Sequence, residues 1–117
     1  MVVFRAHRYP TSSQEFLMRL NESQRRHLRR LAHDLKPVVR TGNAGLTEAV
    51  MAEIELALES HELIKVKLVG LERADRQPTI EQICVETGAE LVQKVGQVAV
   101  LYRANPRRKP GQRVSLP

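Results

Sequence analysis

Two groups of residues in this chain of 117 could do chemistry, and both suit the binding of phosphate. The first is the set Arg25, Arg26, Arg29 and Arg30. A guanidinium presents a planar fork of donors that matches a phosphate, and it stays charged at any physiological pH. Arg25 with Arg29 and Arg26 with Arg30 are like-charge pairs four residues apart, which slightly destabilise an isolated helix. An anionic partner would offset that repulsion. The second group is Gly42-Asn43-Ala44-Gly45. Two glycines let backbone amides come close to an anion, and a helix beginning just after them directs its positive end there. Each group also has a plain alternative. A cationic stripe is often a solvated helix face, and a Gly-x-x-Gly segment is often a tight turn that needs glycine for its φ angles. The loop lacks the longer pattern ending in Gly-Lys-Ser/Thr, so hydrolysis of a nucleoside triphosphate is not expected.

Other chemistries find little support. His7, His27, His33 and His61 show no ligand spacing with cysteine or carboxylates, and Cys84 falls on an apolar helix stripe, so neither a metal nor a cofactor is expected. Glu55 and Glu59 could be cast as an acid and base pair, but solvated helix glutamates are far commoner. No nucleophile has a base near it in sequence, and neither catalysis nor a small-molecule substrate is expected. Tyr102 is the one aromatic residue between positions 20 and 104, which argues for recognition by shape and phosphate contacts over base stacking.

The elements that would position these groups follow from periodicity and punctuation. Asn21 as N-cap with Gln24 three residues on opens a first helix, with Leu28, Leu31, Ala32 and Leu35 on its apolar side and the arginines and His33 on the other. It should end before Pro37. Pro37-Val38-Val39-Arg40 reads as a short strand, and the glycine loop follows it. From Leu46 to about His61 the pattern is helical again, with Glu48, Glu53, Glu55 and Glu59 facing water. Residues 63 to 69 alternate, Ile64, Val66 and Leu68 against Lys65 and Lys67, as in a strand with one wet face. Asp75 to Thr79 should open a third helix capped by Gly88, and Gly96-Gln97 should join two strands, Leu91 to Val95 and Val98 to Arg103. The expected fold class is α/β, in two layers: a four-stranded mixed sheet with three helices on one face, in the order α-β-α-β-α-β-β.

The length fits one domain with tails: a poorly ordered extension over 1–19, a folded domain over 20–104, and a basic tail over 105–117. The net charge of +6 conceals an uneven distribution. Residues 21–40 carry six basic side chains against two acidic, 103–117 carry five against none, and 41–102 carry five against ten. A basic part joined to an acidic part favours an oriented contact with a polyanion. No apolar run approaches the roughly 20 residues that span a bilayer, and the start has no secretory h-region, so no membrane association and a cytoplasmic address are expected. One cysteine permits a reducing compartment.

The string LNESQRRHLRRLAHDLKPVVRTGNAGLTEAVMAEIELALESHELIKVKLVG, with the later ETGAELVQKVGQVAVLYR, resembles the CRM domain (chloroplast RNA splicing and ribosome maturation), in particular the stand-alone bacterial YhbY type. That resemblance implies a fold similar to the C-terminal domain of translation initiation factor three. It implies RNA binding without catalysis and association with precursors of the large ribosomal subunit, so the expected partner is structured RNA, namely large-subunit rRNA in pre-ribosomal particles; separately, the chain is expected to be a monomer. The family's GxxG loop, likened to that of KH domains, maps onto Gly42, Asn43, Ala44 and Gly45. The two central positions often include a basic residue in the wider family, so Asn43 and Ala44 shift weight to backbone amides and to Lys36 and Arg40 beside the loop. Arg103, closing Leu101-Tyr102-Arg103, completes the candidate RNA-binding set. The rival from another class is a protein-interaction module contacting a basic ribosomal protein through Glu48, Glu55 and Glu59 of helix two.

Overall fold

A computed structural model describes residues 20–117, so the expectation for residues 1–19 lies outside the described residues. Helix α1 (Glu22–Ala32) starts at its capping box, where the Gln24 N–H donates to Asn21 Oδ1 (2.8 Å) and the Asn21 N–H to Gln24 Oε1 (3.1 Å). Strand β1 (Val39–Arg40), helix α2 (Glu48–His61), β2 (Leu63–Lys67), α3 (Arg73–Thr87), β3 (Glu90–Val95) and β4 (Val98–Tyr102) follow in the expected order. The sheet runs β1-β2-β4-β3, with β1 parallel to β2 and the other neighbours antiparallel, so it is mixed and four-stranded. The α/β class holds.

Helix α3 begins two residues before the expected Asp75, and Pro78 lies inside it. As the sixth residue of the helix, Pro78 forfeits one intrahelical bond, the donation to the Ala74 carbonyl, and the helix continues through it. Gly88 closes α3 in the left-handed conformation (φ 75°), its N–H donating to the Cys84 carbonyl at 2.9 Å, as its position predicted.

The layering departs from three helices on one face. Ile64, Val66, Leu68, Ala99 and Leu101 join Ile54, Leu58, Ile80 and Ile83 in the main core, which α2 and α3 cover. Leu63, Val92, Val100 and Tyr102 point the other way and pack with Leu28 and Ala32 of α1 in a second, smaller core. Helix α1 therefore lies on the opposite face, and the expected wet face is covered over part of its area. The alternation of β2 shows two faces but cannot say what lies over the second. Since α1 contributes chiefly Leu28 and Ala32, Leu31 and Leu35 are exposed, against their expected core role.

Beyond β4 the chain turns back onto the body. The buried Glu62, the C-cap of α2 at φ 64°, accepts the N–H of Asn105 and of Val114, each at 2.6 Å, and pairs with Arg108 at 3.3 Å. Val114 and Leu116 then rest on the second core. Arg107 pairs with Glu59 (2.8 Å), so part of the C-terminal basic charge is neutralised internally.

Candidate nucleic-acid interface

The glycine loop is held at one end of the sheet. The Thr41 N–H donates to the Lys67 carbonyl (3.0 Å) and its hydroxyl to the Val69 carbonyl (2.7 Å), which pins the loop's entry to the end of β2. The Gly45 N–H donates to the Gly42 carbonyl at 2.9 Å, closing a turn with Asn43 and Ala44 exposed at its tip. Gly45 needs its φ of +74°. Gly42 does not have a positive φ, and a Cβ there would meet nothing within 4 Å. Its small size is therefore not required by the chain's own packing. Gly70 (φ +80°) matters more to the loop than spacing suggested: a Cβ there would lie 2.9 Å from Asn43 Oδ1 and 3.1 Å from the Gly42 carbonyl. After the loop, Thr47 caps α2, its hydroxyl accepting the Val50 N–H at 3.1 Å. Glu48 in the first turn opposes the pull of the helix dipole on an anion.

The cations divide into committed and free. Arg25 is half-buried, pairs with Glu90 (2.8 Å) and donates a second bond to the Leu91 carbonyl, so it clamps α1 to β3. Arg103 is nearly buried and bonds to Glu55 Oε1 (2.5 Å), Glu59 Oε1 (3.2 Å) and the Thr87 carbonyl (2.8 Å). Both leave the candidate set, because a guanidinium already held by carboxylates offers little to a phosphate. Glu55 and Glu59 are likewise not the solvated pair expected of them. Arg29 makes one loose contact with Glu22 at 3.3 Å. Arg26, Arg30, Lys36 and Arg40 are exposed, with no ion pair among the described residues.

Two lysines missed as site residues join them. Arg40 is the register partner of Lys67 on the neighbouring strand, so both point to the α1 side of the sheet, at the base of the glycine loop. Lys65 lies on the same face, and its Nζ reaches the His33 carbonyl at the end of α1 (3.5 Å). Cationic side chains thus run from the exposed side of α1 through Lys65 and Lys67 to Arg40 and the loop. Alternation placed both lysines on a polar face, but only strand pairing puts Lys67 beside Arg40. Among the described residues no cluster of His, Cys, Asp and Glu could hold a metal, and no helix is long and apolar enough to cross a membrane.

Comparison with known proteins adds to this geometry. A family model described as the CRS1 / YhbY (CRM) domain matches residues 20–103. The chain is 50% identical over 90 residues to an RNA-binding protein of Haemophilus influenzae, covering 77% of this chain and 91% of that one. It is 44% identical over 98 residues to a Pseudomonas aeruginosa protein named a probable RNA-binding protein, covering 84% and 92%. A solution structure of a Staphylococcus aureus protein, described as a candidate RNA-binding protein, superposes with a TM-score of 0.70 at 35% identity, covering 84% of this chain and 99% of that one.

Proposed function

This chain belongs to the CRS1 / YhbY (CRM) domain family, and we propose that it is a non-catalytic, cytoplasmic, monomeric protein that binds structured rRNA of precursor large ribosomal subunits and assists their assembly. One observation carries the RNA-binding part. Arg40 and Lys67 stand side by side without a carboxylate partner among the described residues, at the base of a loop whose Gly42 faces open space. Like charges on neighbouring strands cost folding free energy, and a phosphate between them would reverse the sign of that interaction.

The contact is electrostatic docking. Arg26, Arg29, Arg30, Lys65, Lys67, Lys36 and Arg40 meet phosphates across a folded RNA, while amides of the loop approach the backbone at closer range. Asn43 and Ala44 add no charge, so the loop supplies proximity and the neighbouring cations supply the field. The large-subunit assignment rests on the resemblance of residues 20–104 to the YhbY type.

The test is to crosslink the protein to RNA in growing cells and to follow it through a sucrose gradient of ribosomal particles. Crosslinks in large-subunit rRNA, with the protein migrating beside incomplete large subunits, are expected. Crosslinks confined to other RNAs would overturn the ribosomal assignment, and an absence of RNA crosslinks would overturn RNA binding itself. A folded Asn43→Asp, Ala44→Asp variant with unchanged RNA affinity would remove the loop from the mechanism.

A further inference from the structure

On the other side of the molecule, α2 and α3 enclose an open groove of about 620 Å³. We propose that it docks a basic amphipathic segment of another protein, so that the chain can hold an RNA on its α1 side and a protein on its α2–α3 side. The proposal goes beyond RNA binding and does not rest on it.

Three features argue for a basic, amphipathic occupant. The groove is lined by the apolar side chains Met51, Ala52 and Leu56, and Leu56 is 68% exposed on an otherwise charged helix surface. Apolar contact alone would suit many ligands, but Glu48, Glu55 and Glu86 line the same groove, and among the described residues no lysine, arginine or histidine does. Arg103 offsets Glu55 from behind, whereas Glu48 is exposed, and so is Glu53 one turn before Leu56. A nucleic acid or an anionic membrane would be repelled there. A segment with leucine-like side chains along one stripe and lysine or arginine on its flanks is matched in both respects, in the manner of a helix laid into a groove. On this side the exposed Glu48 and Glu53 stand with Glu86 at the groove, and their local negative potential would steer such a segment toward it.

Glu59 is taken up by Arg103 and Arg107, so a partner on α2 would sit toward Glu48 and Leu56 and away from the C-terminal residues.

The experiment uses the full chain and a labelled helical peptide of roughly 16 residues, leucines on one face and lysines on the other, followed by fluorescence anisotropy. Micromolar binding is expected, weakened on the order of tenfold by Leu56→Ser or by Glu86→Gln and also by replacing the peptide's leucines with serine at constant charge. Both variants should keep the wild-type melting temperature and RNA affinity. Equal binding of the leucine-free peptide would reduce the groove to an unspecific polyanion and overturn the proposal. So would wild-type peptide binding by both variants, or concentration-dependent self-association abolished by Leu56→Ser, which would make a second copy of the chain the occupant. Because RNA affinity is measured on the same samples, loss of either activity is distinguishable from loss of the other.

Discussion

Replacing Arg40 and Lys67 together with glutamine should weaken RNA binding while leaving the fold as stable as before, or slightly more so. The two side chains are register partners on β1 and β2 and share one face of the sheet. Neither is ion-paired among the described residues, so the substitutions orphan no carboxylate. Removing a like-charge neighbour pair should gain a few tenths of a kcal/mol of stability. If each cation neutralises one phosphate, the salt slope of the logarithm of affinity should shrink by roughly 0.7 to 0.9 per contact, or about 1.6 for the pair. At about 0.1 M salt that slope corresponds to roughly 1.1 kcal/mol per contact, hence about 2.2 kcal/mol and a loss of about 40-fold. The assay is a salt titration of binding to a folded rRNA fragment by filter retention or anisotropy, paired with urea denaturation of both proteins. An unchanged slope in a folded double variant would refute the assignment of this pair. A large loss of stability would refute the claim that the two cations repel each other without internal compensation.

Arg25→Gln should instead act on the fold. It leaves the nearly buried Glu90 without its cation and is expected to cost on the order of 2 kcal/mol in urea denaturation, with the RNA salt slope of the folded protein unchanged. Gly42→Ala should leave the melting temperature within about 2 °C of wild type, since the added methyl meets no protein atom. Gly70→Ala should lower stability by about 1 to 3 kcal/mol and weaken RNA binding too, because its Cβ would press on Asn43 and its φ is +80°. Glu62→Ala removes the acceptor of two backbone N–H groups and should speed amide exchange at Asn105 and Val114, with a stability loss of about 2 to 3 kcal/mol. Unchanged exchange there would show that the turn-back of the chain does not depend on this carboxylate.

The order of elements, the start of α1 at Asn21, the left-handed cap at Gly88 and the position of the glycine loop between a strand and a helix were all legible in the residue pattern. Those features rest on contacts between residues a few positions apart, such as Asn21 with Gln24 and Gly42 with Gly45. Family resemblance was legible for the same reason, since its motifs are contiguous strings.

Which cations are free depends on the packed chain. Arg25 meets Glu90 across 65 positions and Arg103 meets Glu55 across 48, so two arginines that looked available are spent on holding the fold. Lys67 was visible as a polar strand residue but acquired its meaning by lying beside Arg40 in a parallel pairing. The placement of α1 on the second face of the sheet likewise followed from Leu63, Val92 and Val100 needing cover that no local pattern could name. Ion pairs and cross-strand neighbours depend on which distant segments meet and in what register. A stretch of sequence therefore specifies its own helix or turn, while the availability of a charge for a ligand is set by whatever the rest of the chain brings next to it.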